Sequence, residues 1–134
     1  MFKTILFPID SSRESREAAD VVVQVAQIHQ CKSLTLLSVV EDSESSHSPG
    51  MSSHEAIVEL LDTAKGLLEA QGLAVQTLER SGKPGFVICD VADELQADLI
   101  IMGCRGVGLT EEGVSDSVAN RVINLAPCPV LIVP

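Results

Sequence analysis

The chain has 134 residues, a formal net charge of -10 and an apolar share of 46%, with three Phe and neither Trp nor Tyr. That length fits one domain over residues 1–134, able to bury a core without disulfide staples, and the apolar share excludes disorder for most of it. The acidic balance repels nucleic-acid phosphates and anionic lipid, and the missing large aromatics remove base stacking, so neither nucleic acid nor a membrane is expected as a partner.

Thr4–Ile9 (TILFPI) is a short apolar run that predicts a strand buried on both faces. Ser11 and Glu14 have capping-box spacing, and Ala19, Val22, Val23 and Ala26 recur at helical period, so a helix is expected up to about His29. Leu34–Val40 (LTLLSVV) predicts a second buried strand. Glu41–Ser53, rich in Ser and acid with Pro49 and Gly50, reads as a loop. Ser52 with Glu55 forms a second capping box, opening a helix with core positions Ile57, Leu60, Leu61, Ala64 and Leu68. Gly72 is suited to end it in the left-handed region.

Leu73–Leu78 (LAVQTL) alternates more than the earlier runs and predicts an edge strand. Gly82-Lys83-Pro84-Gly85 is a turn in which Pro84 suits helix entry, and Ile88, Val91, Ala92 and Leu95 mark that helix. Asp98 precedes a further buried strand, Leu99–Met102. A glycine-bearing loop follows from Gly103 to Gly113. Val114, Val118, Val122 and Ile123 predict a last helix, Pro127-Cys128-Pro129 breaks it, and Val130–Val133 closes the chain as a strand.

Alternating strands and helices imply an open, mostly parallel α/β sheet with helices on both faces. Ligands of such sheets bind outside the carboxyl ends of the strands, where the strand order switches. The loops concerned begin at Asp10, after Val39-Val40, and at Gly103. Several chemistries are excluded by what is missing. There is no GxxxxGK[ST] phosphate loop and no GxSxG nucleophile elbow, and the glycines follow the fourth strand, where a dinucleotide fingerprint would follow the first. Asp10 is a lone acid without a visible base or nucleophile as partner. His47 and His54, seven apart, have the simpler reading of solvated loop residues, and the metal ligands, if any, are not legible. Cys31, Cys89, Cys104 and Cys128 form no CxxC pair and read as buried or half-buried thiols of a reducing compartment. With no signal peptide and no apolar run approaching ~20 residues, the expected location is cytoplasmic.

In the loop Met102-Gly103-Cys104-Arg105-Gly106, glycines allow close backbone approach and aim amides at an anion, the following helix adds a positive N-terminus, and Arg105 is suited to clamp phosphate. An ordinary tight turn explains the same glycines. The wider context decides. Gly103 and Gly106, then nine residues and the pair Asp116-Ser117, match the spacing G-x2-G-x9-G-[ST]. With ILFPID at the start, LLSVVED after the second strand, SGKPGFVI before the third helix and APCPVLIV at the end, the whole chain resembles the universal stress protein family in its nucleotide-binding branch.

The resemblance implies a five-stranded sheet in the order 3-2-1-4-5 and an adenine-nucleotide pocket. Asp10 would lie beside adenine and ribose, and the Val39 backbone would meet the adenine edge. Met102, Gly103, Arg105 and Gly106 would line the ribose and phosphate side, with Ser117 and Val118 receiving phosphate oxygens. It also implies a homodimer paired through the last strand, Val130–Val133.

One position departs from the motif. Asp116 stands where the third glycine belongs, bringing a side chain and a negative charge to the phosphate end, with Glu111 and Glu112 close in sequence. A like charge at ~4 Å costs about 1 kcal/mol in water and about 4 at an effective dielectric of 20. Three readings stay open: Asp116 caps the last helix and excludes phosphate, the adenosine half binds AMP or a similar ligand of low charge, or Mg²⁺ or Mn²⁺ bridges Asp116 and ATP. The functions that correspond are a regulatory or stress-response binding protein, a ligand-free dimerisation module with a vestigial pocket, and a slow ATP hydrolase. The last lacks local charge neutralisation beyond Arg105, which speaks against an enzyme.

Overall fold

Four of the five residues of β1 (Thr4–Pro8) are buried, as befits a strand covered on both faces. The computed structural model describes residues 1–10, 13–40, 53–104 and 118–134. After β1 come α1 (Arg13–Ile28), β2 (Ser33–Val40), α2 (Ser53–Glu69), β3 (Val75–Ser81), α3 (Pro84–Leu95), β4 (Leu99–Gly103), α4 (Val118–Leu125) and β5 (Val130–Val133). The five strands form one sheet, all neighbours parallel, in the order β3-β2-β1-β4-β5. The α/β class and the strand order expected from the sequence are therefore both present.

Successive strand residues point to opposite faces, so each central strand feeds two cores. Ile5, Phe7, Leu34, Leu36, Leu99 and Ile101 pack with Ala18, Val22 and Ala26 of α1 and Leu61 and Leu68 of α2. Leu6, Leu37, Ile100 and Met102 pack on the other face with Ile88, Val91 and Ala92 of α3 and Ala119 and Val122 of α4. This double burial is why β1, β2 and β4 read as unbroken apolar runs.

Most ends fall close to the expected positions. Gly72 adopts φ 86° and its N–H bonds to the Glu69 carbonyl, closing α2 as anticipated. Pro84 opens α3, while Gln96, a residue with a Cβ, supplies the left-handed cap at its end. The edge strand β3 runs Val75–Ser81 and excludes Leu73, so it begins and ends later than its alternation predicts. Ile123, expected in the core stripe of the last helix, is instead 56% exposed, because α4 turns Ala119 and Val122 inward. The capping serines Ser11 and Ser52, most of the Glu41–Ser53 loop, His47 and Val114 lie outside the described residues.

The opposite end of the sheet is tied by Asp98. Its Oδ2 accepts from the backbone N–H groups of Lys3 and Thr4, both at 3.0 Å, joining the start of β4 to the start of β1. Lys3 Nζ donates to the His29 carbonyl at 2.9 Å, and Phe2 meets the His29 ring edge-on at 4.9 Å. A cation at a helix carboxyl end is favourable there.

Candidate functional site

The site is built by an interruption in hydrogen bonding. β1 and β2 stay in register from Thr4–Ser33 to Pro8–Leu37, and the Ile9 N–H extends this pairing to the Leu37 carbonyl at 2.8 Å. β1 and β4 share only two pairs, Ile5–Leu99 and Leu6–Ile100. Beyond them β4 follows β5, to Gly103–Val133, and the Cys104 N–H bonds to the Val133 carbonyl at 2.9 Å. The sheet thus opens between β1 and β4 toward its carboxyl edge. This is the switch point, because β1 leads to β2 on one side and has β4 on the other.

Asp10 stands at the β1 lip of that opening, half-buried. Ser15 Oγ donates to Asp10 Oδ1 at 2.9 Å and accepts from the Asp10 backbone N–H at 3.1 Å. Ser15 lies in the first turn of α1 and is only 8% exposed. Nothing in the motif spacing singles it out. A serine five residues after a strand-ending aspartate, inside the first helical turn, is the signal that could have found it.

Val39 lies two residues beyond the last β1–β2 pair. Peptide groups along a strand alternate between its two edges. The Leu37 carbonyl accepts from Ile9 on the β1 side, and the Val40 carbonyl accepts from Gly82 on the β3 side at 2.9 Å. The alternation therefore directs the backbone N–H and C=O of Val39 to the β1 side, past the end of β1. Its side chain packs against the core shared with α3 and α4. Backbone is what this residue can offer a ligand: one donor and one acceptor side by side.

Gly103 forms the β4 lip. A Cβ there would stand 2.7 Å from the carbonyl carbon of Glu14 and 2.8 Å from its oxygen. Its φ is not in the left-handed region, so the absence of a side chain, not a special dihedral, is what the position requires. The close approach is made by the chain's own α1. Met102 is 6% exposed and its side chain belongs to the core, so it too can present only backbone to the opening. Val118 begins α4 and packs against the same core.

The structure thus assembles Asp10, Val39, Met102 and Gly103 at one edge, on three adjacent strands. Arg105, Gly106, Asp116 and Ser117 lie outside the described residues. Among the described residues no group of three or more His, Cys, Asp and Glu is arranged to hold a metal ion, and His54 pairs with Glu79 at 2.9 Å. The four cysteines are free thiols. Burial pushes Cys31, Cys89 and Cys128 above their ordinary value. No helix among the described residues is long and apolar enough to cross a membrane.

What the opening offers is an anion on one strand, a backbone donor–acceptor pair on the next and a closely packed glycine on the third. Comparison with known proteins identifies the family and the fold. A universal stress protein of Synechocystis sp. is 57% identical over 137 residues, covering 100% of this chain and 87% of that one. A universal stress protein from Lactobacillus plantarum superposes with a TM-score of 0.79 at 26% identity, covering 100% and 99% of the two chains. Another, crystallised in complex with cAMP, gives 0.82 at 24% identity over 99% and 97%. The model of the universal stress protein family matches residues 1–134 from end to end, and on that match and the 57% identity the chain belongs to the universal stress protein family.

Proposed function

We propose that this protein is a regulatory, stress-response binding protein that takes an adenine nucleotide of low charge at the carboxyl edge of its sheet. The observation that carries the reading is the opening of the β1–β4 ladder after two pairs, with Asp10 and the Val39 backbone at its lip. A backbone N–H next to a C=O complements the donor and acceptor edge of adenine, and a carboxylate beside it accepts from sugar hydroxyls. The structural neighbour solved with cAMP, whose phosphate carries a single charge, lends support. Asp116 favours the same choice, since its charge opposes a triphosphate more than a monophosphate. Binding of ATP then requires Mg²⁺ or Mn²⁺ to bridge the two.

We place the protein in the cytoplasm as a homodimer paired through β5. Two features support that seam: β5 is an edge strand, and the apolar residues Ile123 and Leu125 of α4 and Leu131 of β5 are 56%, 50% and 37% exposed. An edge of this kind is a template for pairing with another chain.

Calorimetric titration with AMP, cyclic AMP, ADP and ATP, each with and without Mg²⁺, tests the reading on the native chain and on Asp116→Gly. Binding of a monophosphate by the native chain, with metal-free ATP binding gained only by the glycine variant, is the expected result. Silence toward every nucleotide in both would make the chain a ligand-free dimerisation module. Tight metal-free ATP binding by the native chain would remove the role given to Asp116.

A further inference from the structure

We infer that Ser15 is a positioning residue for the ligand contact at Asp10. The inference rests on the nucleotide reading above and adds one residue to it.

The geometry starts from one hydroxyl. Ser15 Oγ holds both the carboxylate of Asp10 (2.9 Å to Oδ1) and its backbone N–H (3.1 Å). A group that grips side chain and main chain of the same residue restricts χ1 of that residue as well as the path of the chain leaving β1. Ser15 is itself fixed, being buried in the first turn of α1. That turn is packed in place, since the adjacent Glu14 backbone lies against Gly103 of β4. The first turn of α1 thereby connects the Asp10 carboxylate to the end of β4.

Ionised carboxylates only accept hydrogen bonds. In a nucleotide site Asp10 must therefore face a donor and stay clear of phosphate. The order of the strands selects which donor. Val39 lies on β2, Asp10 follows β1 and Gly103 ends β4, with β1 between the other two. A ligand laid across them with its base against the Val39 backbone brings its middle portion, the sugar, to Asp10. A hydrogen bond to a ribose hydroxyl depends on where the carboxylate oxygens point, and Ser15 sets that direction.

The test is titration of AMP, 2′-deoxy-AMP and 3′-deoxy-AMP into the native chain, Ser15→Ala, Asp10→Asn and the double variant. Ser15→Ala should weaken AMP by about five- to tenfold, within the range of one ordinary hydrogen bond, because the effect reaches the ligand only through Asp10. It should weaken the deoxy ligand that lacks the contacted hydroxyl by less than about twofold. Added to Asp10→Asn it should change nothing further, because a residue that acts through another is silent once that other is removed. Equal loss for all three ligands, or an undiminished loss in the Asp10→Asn background, overturns the positioning role while leaving nucleotide binding intact. If the native chain binds none of the three, both readings fall. Ser15→Cys, close in size but a weak donor, gives the same readout where Ser15→Ala does not fold.

Discussion

The backbone of Glu14 packs against Gly103 so closely that no side chain fits between them: the missing Cβ would lie 2.7 Å from the Glu14 carbonyl carbon and 2.9 Å from its Cβ. The first of these contacts is with main chain, which cannot swing aside as a side-chain tip would. Gly103→Ala must therefore displace α1 or bend the end of β4. Overpacking of this kind costs about 1–3 kcal/mol, and a urea unfolding curve should show a lower midpoint with an unchanged slope. An unchanged midpoint would mean that α1 shifts freely at its start.

Asp98 makes a contrasting prediction at the other end of the sheet. Both of its bonds go to backbone N–H groups at the start of β1. Asp98→Ala leaves those amides to water or to nothing, and charge-assisted bonds of this type are worth about 1.5–3 kcal/mol each when well buried. The site is only partly buried, so the combined loss should be about 1–3 kcal/mol, read by thermal or urea unfolding. Ligand affinity should not change, since Asp98 is at the edge of the sheet away from Asp10.

Leu131 tests the proposed dimer. It is exposed on β5, an unpaired edge among the described residues. Charge on an edge strand opposes pairing with another chain. Leu131→Glu should give a monomer by sedimentation or light scattering with its melting as a single fold retained. A variant that remains dimeric places the interface elsewhere.

The thiols predict a loss of stability in alkali. Burial pushes Cys31, Cys89 and Cys128 above their ordinary value of 9.0; nearby acids add to the effect, Asp98 for Cys31, Asp90 for Cys89, and the Cys89 thiol followed by Asp98 for Cys128. Folding then favours the neutral form. The stability this contributes is complete below the unfolded value and declines as pH rises through the raised folded values, that is, above about 9. The urea midpoint should fall from about pH 8 to about pH 9.5, below the range in which most lysines titrate. Replacing the three cysteines by alanine should flatten that slope even if it lowers the midpoint overall.

Two features of the candidate site are legible in the amino-acid order alone. Asp10 ends a buried apolar run, and Gly103 begins the glycine loop, so each is identified by its immediate neighbours in the chain. Ser15 is not, because a serine in a first helical turn is ordinary, and only the folded chain shows its hydroxyl on Asp10. Likewise, the apolar spacing that marks α4 cannot tell a residue facing the core from one facing solvent when the stripe is wide, and Ile123 faces outward.

The order of strands and helices, the double burial of β1, β2 and β4 and the family are all written in the amino-acid order, because periodicity and motif spacing are properties of short stretches of chain. Where the sheet opens is not. That depends on β4 leaving β1 after Ile100 to follow β5, on β2 outrunning β1 so that Val39 has no β1 strand residue opposite it, and on α1 meeting Gly103 from the far end of the sequence. Each is a contact between segments distant along the chain, and such contacts are selected by how whole surfaces pack, not by any local pattern.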